Sequence, residues 1–421
     1  MTPKRVVVVG GGTGGTLLAN KLASLLKAEV SSGRVEVHLF ADSAEHVFSP
    51  GNIDIAFRGT DPRSFRRPER ELLDRRVLLH ERAVERIDLN ERAVHFDSER
   101  LSYDYLVIAT GSFARPDVIK GLKEASYNFH TGQEDARRTW DALERFSGGR
   151  ILVLTNIPHK CPPSPVEAAF LVEELMRKRG IRERVEVSFA TPYARAYPAA
   201  AIAEVVEPLM EERGIRLYTM FNTDYVDPKE KKVYSLEGEE IGFDLLITVP
   251  PHRGAEVVFR SEIGDEEGWV PADRETLRHP KSDDVYAIGD ATSIPISKSG
   301  VVAHLEAIVA AENIASDYLG TGKVYCYTGR INCPLELGGR RAVFVAATYE
   351  RPPARQNPSL LKYLMKRAFP AVYWEMLRGR VDPVFDFYLG KPYRVKSVGR
   401  DLRGPATRSR SSWRPSRTPR G

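Results

Sequence analysis

The sequence predicts an α/β fold of two β-α-β units, followed by a helical segment of different character. Three observations carry the prediction. A β-branched run at residues 4–9 leads into the glycine cluster Gly10 to Gly15 and then into a helical pattern. A second start lies at Ile151–Leu154, just after the turn Ser147-Gly148-Gly149. Strand and helix patterns alternate from each start, as parallel sheets with crossover helices require.

In chain order, the first strand feeds a helix over Thr16–Leu26, a strand over Arg34–Phe40 and a strand over Tyr105–Ala109. Residues 42–100 between them hold short strand-like pieces such as Arg92–Phe96. The second unit opens with Ile151–Leu154, a helix over Val166–Arg179 and a strand over Val185–Ala190, and the alternation runs on to 249. A strand near 285 is followed by a helix with Val301, Val302, Leu305, Ile308, Val309 and Ile314 at helical spacing. Strands with a turn at Gly338-Gly339 fill 325–349. The expected divisions are 1–113 and 283–350 for a discontinuous first domain, 114–282 for the second, 351–399 for a C-terminal amphipathic region and 400–421 for a basic disordered tail. No internal repeat is visible.

With 421 residues and 42% hydrophobic composition, the chain buries a sizeable core without disulfide staples. Disordered, collagen-like and small disulfide-rich classes are excluded. The three cysteines, Cys161, Cys326 and Cys333, suit a reducing compartment. The net charge of +5 is unevenly placed: residues 400–421 hold seven arginines against one aspartate, so the rest of the chain is close to neutral. A nucleic-acid enzyme spreads positive charge over its folded surface, so that class is set aside. The N-terminus predicts no signal peptide, and no run of ~18 apolar residues predicts a membrane span. No spacing predicts a metal site.

Gly10, Gly12 and Gly15 fit G-x-G-x-x-G between a strand and a helix. Glycines permit the tight turn and close backbone approach to a pyrophosphate, and the helix start offers free amides. A ribose-binding acid belongs at the end of the second strand, and Asp42 is the nearest candidate. Two further strands end in Ala109-Thr110-Gly111 and in Gly289-Asp290. Together with the glycine loop, these resemble the disulfide-reductase-like FAD flavoproteins with two dinucleotide domains. The resemblance implies two Rossmann-like domains and FAD, with Ala109, Thr110, Gly111 and Gly289 at the cofactor and Asp290 on its ribityl chain.

The equivalent turn of the second unit, residues 156–167, has no glycine and four prolines. Proline lacks an N–H and is bulky, so this turn offers no amide cradle for NADH. Cys161 stands in it, just before a helix, where a helix N-terminus and the nearby Lys160 and His159 favour thiolate. Sequence alone does not show that Cys161 meets Cys333, which lies 172 residues later.

The stretch Lys160-Cys161-Pro-Pro-Ser-Pro-Val-Glu167-Ala, the pair Pro250-Pro251 before His252, the run Gly289-Asp290-Ala-Thr-Ser-Ile-Pro-Ile-Ser-Lys298 and Cys333-Pro-Leu-Glu-Leu-Gly resemble sulfide:quinone oxidoreductases and the related flavocytochrome c sulfide dehydrogenase flavoproteins. The resemblance implies that Cys161 and Cys333 form a redox pair beside the flavin. It places Glu167 as a proton relay near the flavin and Lys298 near the flavin pyrimidine. The implied partners are sulfide, a membrane quinone, a lipid surface and a homo-oligomer of the chain, with no nucleic acid. Many members carry a third cysteine in the region of Ser126 to Gly132, where this chain has none, so a two-cysteine member is expected. Cys326 reads as structural, and so do His159 and His304.

A quinone resides in the bilayer, and the chain from 359 to 380 is amphipathic, cationic and aromatic, as an interfacial helix should be. Leu360, Leu361, Leu364, Met365 and Ala368 share one face, Lys362 and Lys366 lie on the other, and Pro370 is expected to interrupt the helix. Tyr373 and Trp374 suit the headgroup level. The expected localisation is peripheral membrane association. Rival readings are a type II NADH:quinone oxidoreductase, a flavocytochrome-type sulfide dehydrogenase and a flavin-binding protein without turnover.

Overall fold

The computed structural model describes residues 2–381 and 391–397. The expected tail at 400–421 and parts of 351–399 lie outside the described residues. Lys4–Val9 is central to a six-stranded sheet, paired in parallel with Val35–Ala41 and with Tyr105–Ile108. Leu78–Glu81 extends one side. On the other side Ser282–Ala287 pairs in parallel with Tyr105–Ile108, so the chain leaves this sheet and returns to it. Its β-branched run is buried from Val6 to Val9, as a strand covered on both faces should be.

The second sheet is wholly parallel, in the order Ser126–Asn128, Leu245–Val249, Gly149–Thr155, Val185–Ala190, Ile215–Tyr218. Between the last crossover helix, Ala200–Glu212, and Leu245–Val249 the alternation gives way to an antiparallel meander over residues 223–242. Short turns such as Asp227 to Lys231, whose first carboxylate caps two following amides, favour hairpins there over a second helix.

The glycine-loop helix runs over Thr13–Leu25 and packs on the long helix Gly300–Tyr318. A β-carbon on Gly14 would lie 3.1 Å from Ile288 Cδ1 and 3.4 Å from the Ala303 carbonyl, so the glycine permits this close approach. The proline-led helix runs over Pro163–Lys178, three residues earlier than the apolar pattern predicts, because proline is well tolerated in a first turn. It packs on the antiparallel ribbon Ile331–Glu336/Ala342–Ala347, which carries Cys333.

The C-terminal helix, Leu360–Leu377, is continuous through Pro370, contrary to the expected interruption. Packing on both sides outweighs the one backbone bond that proline removes. Its far half is buried against the glycine-loop helix, where Asn20 Nδ2 donates to the Leu377 carbonyl at 2.7 Å and so caps the helix end. Tyr373 is therefore buried rather than at a headgroup level, and Trp374 is half-buried under Arg67. The near half leaves Leu360, Leu361, Leu364 and Met365 exposed. Among the described residues no helix is long and apolar enough to cross a membrane.

Candidate active site

The three motif glycines differ in what demands them. Gly10 has φ +115°, and a β-carbon there would lie 2.3 Å from the Ala109 carbonyl oxygen. One on Gly15 would lie 1.9 Å from the Gly10 carbonyl oxygen. One on Gly12 would meet nothing within 4 Å, and its φ of −89° suits any residue. The chain itself thus explains Gly10 and Gly15, while Gly12 borders open space at a helix start.

Two buried polar atoms near that start, Thr110 Oγ1 and Asp290 Oδ1, have no hydrogen-bond partner among the described residues. Burial pushes the Asp290 carboxyl up, while Lys160 and Lys298 hold it down. The Gly289-Asp290 turn is fixed by Glu306, whose Oε2 accepts from the Gly289 N–H at 2.6 Å. Burial raises the Glu306 carboxyl to about 8, against the bond from Gly289. Gly111 takes a left-handed φ of +71° after the third strand. Asp42 directly follows Val35–Ala41 and is exposed.

Cys161 lies two residues before Pro163, in a left-handed conformation with φ +57°. Such a conformation costs of order 1 kcal/mol for a non-glycine residue, so its surroundings must hold it. The Cys161 N–H donates to the Lys298 carbonyl at 2.7 Å, and the Ser164 N–H and hydroxyl both donate to the Cys161 carbonyl at 2.9 Å. His130, from the segment without a third cysteine, bonds the Ser164 hydroxyl at 2.8 Å. Pro162, Pro163 and Pro165 have no N–H and that of Ser164 is engaged, so this helix start presents no amide cradle.

The Cys161 thiol is pushed up to about 11, by burial first and then by the charge of Cys333, while Lys366 and Ser164 pull it down. Desolvation thus works against the thiolate that a helix N-terminus would favour. Cys333 is buried, donates to Ser299 Oγ at 3.6 Å and lies 4.0 Å from Ser297 Oγ. Burial raises its thiol and both hydroxyls lower it. The two thiols are near enough for the charge of one to raise the other, and no bond joins them. Tyr197 is near both, its phenol held protonated by burial and by both sulfurs. Cys326 is buried on Lys323–Tyr327, in another ribbon.

Glu167, in the first turns of the proline-led helix, is buried and pairs with Lys366 of the C-terminal helix. Lys366 also lies 3.5 Å from Glu336. Glu336 pairs with Arg58, and Asp54 takes both Arg58, at 2.6 Å, and Arg367. Burial and the nearby Arg58 bring the Lys366 ammonium down to about 7, while Asp54 and Cys161 support its charge. The apolar face of the amphipathic helix thus looks outward, as expected of an interfacial helix, and Lys366 on the other face points inward to Glu167 and Glu336. Lys298 is half-buried, with Nζ donating to the Thr292 carbonyl and 4.2 Å from the Trp269 ring centre; burial lowers it.

The family model described as pyridine nucleotide-disulphide oxidoreductase matches residues 4–313. The chain belongs to the pyridine nucleotide-disulphide oxidoreductase family. It is 27% identical over 398 residues to the mitochondrial sulfide:quinone oxidoreductase of Mus musculus, covering 89% of this chain and 86% of that one. The crystal structure of the sulfide:quinone oxidoreductase of the hyperthermophilic bacterium Aquifex aeolicus superposes with a TM-score of 0.83 at 24% identity, covering 96% of this chain and 100% of that chain. NDH2 of Plasmodium falciparum, solved with NADH, superposes with a TM-score of 0.69 at 12% identity, covering 92% and 99%, and shows the shared fold.

As a pyridine nucleotide-disulphide oxidoreductase, the protein is an oxidoreductase with FAD as its cofactor. The residues present fit that group. Open space at Gly12, free amides at the helix start and the unpartnered atoms of Thr110 and Asp290 are what a pyrophosphate and a polyol chain satisfy. Cys161 bonds the Lys298 carbonyl and interacts electrostatically with Cys333 and with Lys366, the partner of Glu167, and Cys333 in turn feels Asp290.

Sequence reasoning missed Glu306, Tyr197, Trp269, Glu336 and the inward role of Lys366. Glu306 did leave a signal, a lone carboxylate on an apolar helix face. Away from the site, the hairpin around residue 90 brings Asp88, Glu91 and His95 within ligand distance of one another. Asp88 Oδ1 there accepts the amides of Asn90 and Glu91, both at 2.9 Å, which marks a turn cap.

Proposed function

We propose that this oxidoreductase oxidises sulfide and passes the electrons to a membrane quinone, through a Cys161–Cys333 pair next to FAD. The observation that carries the reading is the closeness of these two sulfurs, with Cys161 on a turn that has no means to cradle NADH. The similarity to sulfide:quinone oxidoreductases over about nine-tenths of the chain supports it.

In the oxidised state the pair is a disulfide. Hydrosulfide attacks the Cys161 sulfur; a new S–S bond forms, the Cys161–Cys333 bond breaks, and Cys333 leaves as thiolate. The hydroxyls of Ser297 and Ser299 receive that charge. A second hydrosulfide takes the outer sulfur, leaving Cys161 as thiolate. Reclosing the disulfide releases two electrons. In sum, two hydrosulfides give one hydrogen disulfide anion, one proton and two electrons. FAD supplies the two-electron acceptor between the cysteines and the quinone. Desolvation favours the protonated thiols, so exchange depends on the charges and hydroxyls around them.

Within this reading Gly10, Gly12 and Gly15 hold the pyrophosphate, with Asp42 on the ribose. Ala109, Thr110, Gly111, Gly289 and Asp290 line the cofactor, and Lys298 offers positive charge to the reduced flavin. Glu167, paired with Lys366, relays protons to the quinone. The exposed apolar face of the C-terminal helix rests on the lipid surface where the quinone resides.

The test is an anaerobic flavin spectrum. Sulfide should bleach the flavin and a soluble quinone should restore it, while NADH leaves it unchanged. Cys161→Ser and Cys333→Ser should each retain flavin and lose sulfide bleaching by at least a hundredfold. Rapid bleaching by NADH and none by sulfide would overturn the reading.

A further inference from the structure

The first turn of the glycine-loop helix lacks the usual means of holding itself. Its N-cap, Gly12, has no side-chain cap, and Gly14 and Gly15 follow within the turn. Glycine loses the most conformational freedom on ordering, so this turn needs an outside restraint. Tyr373 supplies one. Its hydroxyl lies 2.8 Å from Thr13 Oγ1, on the first helical residue after the loop.

That contact is one end of a buried chain. The Tyr373 hydroxyl lies 2.7 Å from His46 Nε2, and His46 Nδ1 lies 2.9 Å from Glu69 Oε2. Glu69 Oε1 accepts from the Thr16 hydroxyl at 2.6 Å, one turn beyond Thr13 on the same helix. His46 Nδ1 faces Glu69 and Nε2 faces Tyr373, so the direction of the bonds along the chain follows the protonation of the His46 ring. Both hydroxyls of the first turn are thereby anchored, and the backbone amides of Thr13, Gly14 and Gly15 are left for a ligand. The phenol oxygen is not needed for packing, since the ring already sits among Phe48, Phe369 and Trp374.

We propose that Tyr373 is a positioning residue for FAD: through Thr13 it holds the glycine-rich turn in its pyrophosphate-binding form, so docking of the C-terminal helix sets how firmly FAD is retained. The inference rests on FAD as cofactor and not on sulfide as substrate.

The experiment compares full-length holoenzyme with Tyr373→Phe, Thr13→Val, Thr13→Ser and the Tyr373→Phe/Thr13→Val double variant. FAD release on dilution is followed by flavin fluorescence, and the pyrophosphate by its phosphorus NMR signals. Loss of one hydrogen bond at the turn should speed release about tenfold. Tyr373→Phe and Thr13→Val should each do so and shift the phosphorus signals, the double variant should add nothing further, and Thr13→Ser should behave as the parent. Release at the parent rate with unmoved phosphorus signals in Tyr373→Phe would overturn the proposal. So would additive effects in the double variant, or thermal destabilisation of apoprotein and holoprotein by equal amounts with no change in release.

Discussion

Lys366 and Glu167 face each other as a buried ion pair across 199 residues of sequence, one on the C-terminal helix and one on the proline-led helix. The pair joins the segment whose outer face is apolar to the helix that Cys161 precedes. A buried ion pair is weak as a stabiliser, yet breaking it leaves an uncompensated charge.

Lys366→Met should therefore destabilise the fold by about 3–5 kcal/mol in chemical denaturation, because buried Glu167 loses its cation while Glu336 keeps Arg58. The ammonium turns over at about 7, so quinone reduction should fall as pH rises through that value. Glu167→Gln should flatten this profile while sulfide still bleaches the flavin. Unchanged pH dependence in Glu167→Gln would remove the pair from the proton path.

The three glycines of the first turn separate folding from cofactor binding. Gly15→Ala forces a β-carbon to 1.9 Å from the Gly10 carbonyl, so the variant should be destabilised by several kcal/mol or fail to accumulate. Gly12→Ala adds a methyl to open space at an ordinary φ, so the apoprotein should melt as the parent does. It should nevertheless bind FAD at least tenfold more weakly, since the methyl enters the pyrophosphate's place. Parent-like FAD affinity in Gly12→Ala, read by fluorescence titration, would move the cofactor elsewhere.

These contrasts show what was legible in the sequence. Both sheets, the glycine turn, the Gly289-Asp290 turn and the lack of an amide cradle at Cys161 follow from local patterns: β-branched runs, glycines and prolines. The surroundings of Cys161 were not legible. Helix position argues for thiolate, while burial by distant segments pushes the thiol up. The apolar face of the C-terminal helix was legible from periodicity and is exposed, as an interfacial face should be. What its cationic face meets was not legible, because acidic groups from three other elements draw Lys366 and Arg367 in. Tyr373 misled for a related reason, since a tyrosine suits a lipid headgroup and a buried hydroxyl network equally well.

Glu306 makes stability fall with pH. Its folded value of about 8 lies above the ordinary 4.5, so the folded state keeps a proton that the unfolded chain gives up between those values. The stabilising contribution is complete below about 4.5 and is lost as pH rises towards 8, by at most ~1.4 kcal/mol per pH unit. Glu306→Gln keeps an acceptor for the Gly289 N–H but cannot ionise. Urea denaturation between pH 5 and 8 should show a shallower decline in the variant, with FAD still bound. An identical slope in both proteins would mean that Glu306 is not the group responsible.

The outer face of the C-terminal helix gives the last prediction. Leu361 and Met365 are 67% and 54% exposed, and Leu364, between them on the same face, is also exposed. Side chains already in water contribute little to folding, so Leu361→Glu/Met365→Glu should leave the melting temperature within about 2 °C of the parent. The same side chains would bury apolar area in a lipid interface, where each is worth about 1.5–3 kcal/mol if fully covered. The double variant should thus cease to sediment with phospholipid vesicles. It should lose most activity with a long-chain quinone in those vesicles and keep its activity with a short-chain soluble quinone. If vesicle binding persists, the anchor lies elsewhere. If activity with the soluble quinone also falls, the face serves the reaction itself, because Lys366 on the opposite side of the same helix would have been displaced from Glu167.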